Sequence, residues 1–150
     1  MIGDFGSVRS VRIVSEVDPA YDGRGELQKA IDDCIRLSTG HGVASADERG
    51  EQRAYYACGT VFGLVAEAAS HRPFGVFIRR LVDEHRRDRV LTREAWLAGL
   101  DRVSHDPSLS ADIVRLLDQG APDPAAVIAS LFTRAGIRYA RASNGTPQLS

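Results

Sequence analysis

Residues 53–70 read "RAYYACGTVFGLVAEAAS". The stretch is apolar nearly all round, which predicts a helix buried at the centre of its domain. Its edges are expected near Glu51 and Ser70. Two adjacent phenols, Tyr55 and Tyr56, stand at its start, and a Cys58-Gly59 pair follows. Packing is the ordinary reason for such residues. The sharper alternative is that Tyr56 reaches into a site.

Outward from this helix, apolar residues keep a helical period. Upstream, Leu27, Ala30, Ile31, Cys34 and Ile35 mark one face of a helix that ends near "STGHG", with Gly40 available as its cap. "VASADERG", residues 43–50, is polar and reads as a loop. Downstream, Pro73 interrupts before a stripe of Phe74, Phe77, Ile78, Leu81 and Val82. Thr92 is placed to cap the next helix, which carries Trp96, Leu97, Leu100 and Val103. Leu109, Ile113, Leu116 and Leu117 form a further short helix stopped at Gly120. Asp123-Pro124 is a cap followed by proline at the first helical position, and that last helix runs to Gly136.

The fold class is therefore mainly α: a compact array of about six amphipathic helices, each covering its apolar face with the others. A short strand is expected before them, over residues 8–17, with Val11, Ile13 and Val17 on one face. Residues 1–138 form one domain, and the polar end, 139–150, is expected to fray as a flexible tail.

Composition narrows the function classes. The 150 residues are 43% hydrophobic and 26% charged, as in an ordinary globular domain. A net charge of −1 argues against broad electrostatic binding to nucleic acid or anionic membrane. No apolar run approaches the roughly 20 residues that span a bilayer. The start, "MIGDFGSVRS", lacks the layout of a signal peptide. The two cysteines, Cys34 and Cys58, make no disulfide framework or zinc signature, and both read as small core hydrophobes. A cytoplasmic setting is the default expectation, although a secreted one is compatible.

Sites with specific spacing are few. No H-E-x-x-H or G-x-S-x-G is present, and the histidines His41, His71, His85 and His105 are scattered. Glu67 and His71, four residues apart, read as an exposed hydrogen-bonded pair rather than metal ligands. Arg79-Arg80 and Arg86-Arg87-Asp88-Arg89 are interleaved with acids and read as a solvated face. The acids Glu67, Asp83 and Glu84 have no spacing that selects a reaction.

At "YYACG", residues 55–59, the chain resembles the Y-x-K-G helix of the gluzincin aminopeptidases, the group of aminopeptidase N and glycyl aminopeptidase. "FGVFIRRLVDEHRRDRVLTREAWLAGLDRVS" and "DPSLSADIVRLLDQG" resemble the helices that follow in that group, so the likeness spans about residues 50–137. The resemblance implies that Tyr56 is the phenol that donates to the oxyanion formed when zinc-bound water attacks a peptide carbonyl. Gly59 falls on the motif glycine, whereas Cys58 stands where lysine is usual. Both zinc histidines, the glutamate base and the glutamate ligand have no equivalent in the 55 residues before Tyr56. Without them Tyr56 reads as a half-buried phenol bonded to a backbone carbonyl.

Two expectations follow. The chain is a fragment or degenerate domain that forms one wall of a peptide cleft without catalysis. It then holds no cofactor itself; zinc, and the zinc-bearing segment that is its partner, belong to a parent protein. Alternatively it is a stand-alone interaction module or homodimer, binding through a patch with Phe74, Phe77 and Phe132 as candidates.

Overall fold

The computed structural model describes residues 23–84 and 92–149. Within them six α-helices follow one another: α1 Gly23–Leu37, α2 Arg53–Ser70, α3 Phe74–Glu84, α4 Arg93–Ser104, α5 Pro107–Asp118 and α6 Pro124–Ala135. The expected strand over residues 8–17 lies outside the described residues. The mainly α fold class is as the periodicity predicts.

Helix α2 is central. It packs against α1, α3, α4 and α6, and Ala57, Val61, Val65 and Ala66 on it are almost wholly buried. Its neighbours supply Ile31, Leu81, Leu100, Ile128 and Phe132 to the same core. The caps read from the sequence are in place. The Thr92 side chain accepts from the Ala95 N–H at 3.1 Å, and Asp123 accepts from the Ala126 N–H at 3.3 Å. Gly136 ends α6 in the left-handed region.

Three local readings need correction. Residues 43–50, expected as a loop, are largely a 3-10 helix over Val43–Arg49, kinked at Ser45. Val43 and Ala46 are buried there, and Arg49 staples the turn by donating to the Gly42 carbonyl and the Ser45 hydroxyl. Two buried positions in a polar segment are too few to show a period. Next, Val82 was expected on the buried stripe of α3 but is 48% exposed; Phe77 and Leu81 carry that burial.

The chain end is the third. In place of a fraying tail, β1 Tyr139–Arg141 and β2 Pro147–Leu149 pair antiparallel. Gln28 on α1 grips this hairpin. Its amide nitrogen donates to the Pro147 carbonyl at 2.9 Å, and its oxygen accepts from the Leu149 N–H at 3.0 Å. One carboxamide thus satisfies both backbone groups of an edge strand.

The cysteines are not free. Cys34 and Cys58 form a disulfide across α1 and α2, with Cα atoms 4.8 Å apart and both residues fully buried. Each lies on the apolar face its helix presses against the other, so helix packing itself brings the sulfurs within bonding range.

Candidate binding cavity along helix α2

A cavity of about 420 Å³ opens beside α2. Gly59 and Phe62 of α2 line it, with Phe74 from α3, Trp96 and Leu97 from α4, and Ile113 and Leu117 from α5. Ala44 of the 3-10 helix and Arg93 complete the lining. Behind the lining, buried Phe77 links two of its aromatic rings. Phe74 stacks on Phe77 at 6.0 Å, and Phe77 meets Trp96 edge-on at 5.7 Å. The walls offer hydrocarbon and aromatic surface, which suits an apolar ligand of modest size.

Arg93 is the only ionisable residue in the lining. One of its terminal nitrogens donates to Asp118 at 2.7 Å, so its charge is largely balanced. No lining side chain is a nucleophile or a general base. The arrangement can hold and orient an apolar group; it supplies no reactive atom.

Glu67 fixes one wall. It lies two turns along α2 from Gly59 and is only 4% exposed. The backbone N–H of Phe74 hydrogen-bonds to its carboxyl, while Oε2 is buried with no partner among the described residues. Burial pushes its pKa up to about 8, against the lowering by that hydrogen bond. At neutral pH it is therefore mostly the neutral acid. The Phe74 ring lies 3.5 Å from where a side chain on Gly63 would begin. Glu67 thus holds the Phe74 backbone while Gly63 admits its ring.

The expected exposed Glu67–His71 pair is not formed. His71 is the left-handed cap of α2 and is exposed, while Glu67 turns inward. The signal was present in the sequence: Glu67 is the single charge between Ala54 and Ser70. His105 caps α4 in the same left-handed way, and His85 lies outside the described residues. Among the described residues, no three His, Cys, Asp or Glu side chains gather as a metal-ligand set. The described residues therefore do not fit zinc.

The two tyrosines divide their roles. Tyr55 takes the structural part expected of Tyr56. Its hydroxyl lies 3.2 Å from the Ala44 carbonyl and 2.9 Å from Asp47 Oδ1, and it accepts from the Asp47 N–H at 3.1 Å. Tyr56 is 68% exposed, and its hydroxyl makes no hydrogen bond among the described residues. It precedes Gly59 by one turn on the same side of α2 but is not part of the lining.

Other candidates disperse. Glu84 is held by Arg102 at 2.6 Å, and Asp83 is exposed beside it. Ten residues of α3 separate that end from Phe74, about 15 Å along the helix. The three acids Glu67, Asp83 and Glu84 are therefore not one site. Arg79 and Arg80 are exposed, and residues 86–89 lie outside the described residues. Of the expected patch, Phe132 and Phe77 are buried and Phe74 is half-buried in the cavity wall. The exposed apolar residues of α3 are Val76 and Val82.

Compared with protein-family models, curated proteins and solved structures, the chain matches none.

Proposed function

We propose that this chain is a non-catalytic helical domain forming one wall of a peptide-binding cleft, in the manner the gluzincin resemblance implies. The observation that carries this reading is the apolar cavity along α2, built on the helix that bears the Y-x-x-G residues Tyr56 and Gly59. Its walls suit an apolar side chain, and its lining has no group that attacks a carbonyl. Tyr56, exposed one turn before the cavity, is free to meet a peptide backbone as a hydrogen-bond donor. On this reading zinc, and the segment that would hold it, belong to a partner or parent protein, and nucleic acid is no partner.

The test has two parts. Purified protein should contain no stoichiometric zinc and should not cleave aminoacyl anilides; one tightly bound zinc per chain would overturn the non-catalytic reading. It should also bind the uncharged tripeptide acetyl-Ala-Phe-Ala-amide, read through Trp96, the only tryptophan of the chain.

A second reading, the stand-alone interaction module or homodimer, is favoured by Val76 and Val82, exposed on α3. Sedimentation showing a tight dimer that dissociates on Val82→Asp would support it. As to setting, no helix among the described residues is long and apolar enough to cross a membrane. The Cys34–Cys58 bridge supports an oxidising compartment in place of the cytoplasmic default.

A further inference from the structure

Gly59 sits inside α2, where glycine is the least favourable residue after proline. A helix commonly keeps such a residue because a neighbour comes close. Gly63, one turn on, has the Phe74 ring beside it. At Gly59 no atom among the described residues lies within 4 Å of the point where a Cβ would stand. Gly75 is equally open and, like Gly59, exposed, but it has no part in the cavity. Gly59 is itself exposed but belongs to the lining, so the open space over its backbone lies where the cavity meets solvent.

We infer that Gly59 is the specificity-determining residue of this cavity, its missing side chain leaving room for a bulky, uncharged side chain of a bound peptide, aromatic or branched aliphatic. The inference rests on the peptide-cleft reading. Size agrees with it. A dry apolar cavity of about 150 Å³ holds benzene, and this one measures about 420 Å³. A phenyl or isobutyl group fits, with the peptide backbone at the mouth.

Charge decides the rest of the preference. Asp118 already balances Arg93, so the rim is close to neutral. A carboxylate drawn by Arg93 is repelled by Asp118, and a cation meets the reverse. A cation loses hydration against Phe62, Phe74 and Trp96 without a partner, and a carboxylate gains only an Arg93 whose charge Asp118 already shares. An uncharged hydrocarbon group bears no such cost. The guanidinium has five N–H donors, and only one nitrogen is bound to Asp118. A donor therefore remains for a neutral acceptor, the peptide carbonyl beside the buried side chain.

The experiment follows Trp96 fluorescence in wild type, Gly59→Ala and Gly59→Leu. The probes are acetyl-Ala-X-Ala-amide with X as Phe, Leu, Ala or Glu. Wild type should bind the Phe and Leu peptides saturably and the Ala and Glu peptides about tenfold more weakly or worse. Both variants should keep an unfolding midpoint at or above that of wild type. They should bind the Phe peptide progressively more weakly, Gly59→Leu by about tenfold or more. Equal binding by Gly59→Leu and wild type would overturn the role of Gly59 and leave the peptide cleft standing. No binding of any peptide by wild type would overturn the cleft, and this inference with it. A lowered unfolding midpoint in Gly59→Ala would show that the glycine serves the fold, and would equally defeat the inference.

Discussion

Replacing Glu67 by glutamine should abolish the pH dependence of stability that this residue causes. In the folded chain this carboxyl is pushed up to about 8, whereas its ordinary value is 4.5. Below the ordinary value both folded and unfolded chains carry the proton, and the group adds no penalty. Between the two values the unfolded chain releases the proton while the folded chain keeps it. Stability then falls as pH rises, by up to about 1.4 kcal/mol per pH unit. Above the folded value the acid is ionised in both states, and the full cost, roughly 5 kcal/mol, is present. Glutamine cannot ionise, so Glu67→Gln removes that slope. Its amide can still accept from the Phe74 N–H, but it buries N–H donors with no visible partner, a constant cost of about 1–3 kcal/mol. The variant should be the less stable protein near pH 5 and the more stable one near pH 9. The difference between the two should change by roughly 4 kcal/mol between pH 5 and 8. Urea unfolding of both proteins across that range measures it. Stability curves that run parallel through the whole range would refute the buried, raised acid.

Loss of the Cys34–Cys58 bridge, through Cys34→Ser with Cys58→Ser, should cost about 3.5 kcal/mol by loop closure over its sequence separation of 24; thermal melts read this, and a thiol assay on the unfolded wild-type chain should find no free thiol. Gly120→Ala should destabilise by about 2 kcal/mol or more. Gly120 has φ +71°, and a Cβ there would meet the carbonyl oxygens of Ser38 and His41, in the turn where Ala121 N–H donates to Ser38. Urea unfolding should register that loss with the fold class unchanged by circular dichroism. Tyr55→Phe should cost about 1 kcal/mol by cutting the phenol from Ala44 and Asp47, while Tyr56→Phe should stay within about 0.5 kcal/mol of wild type. Equal effects of the two would contradict the division of roles between them.

What the sequence revealed and what it hid divide along the range of the interactions. The caps at Thr92 and Asp123 are bonds to residues three positions away, and a local reading finds them. The helical stripes repeat within each element, so α2 was legible as the central helix. The hairpin is different. Its hold on the fold is Gln28, separated from Pro147 by 119 residues, and no local pattern reports that. The disulfide likewise depends on how α1 and α2 rotate against each other. Each cysteine taken alone was an unremarkable member of its stripe. Tyr55 and Tyr56 are adjacent, about 100° apart around the helix. Which of them meets the 3-10 helix follows only once that segment is folded rather than a loop. The cavity is the furthest from the sequence, because four α-helices and the 3-10 helix each contribute a part of it.

The most direct measurement is heteronuclear NMR of the labelled protein during titration with acetyl-Ala-Phe-Ala-amide. The account predicts saturable shifts centred on Gly59, Phe62, Trp96 and Leu97, with Val76 and Val82 undisturbed. Shifts centred on Val76 and Val82, or none at saturating peptide, would contradict it.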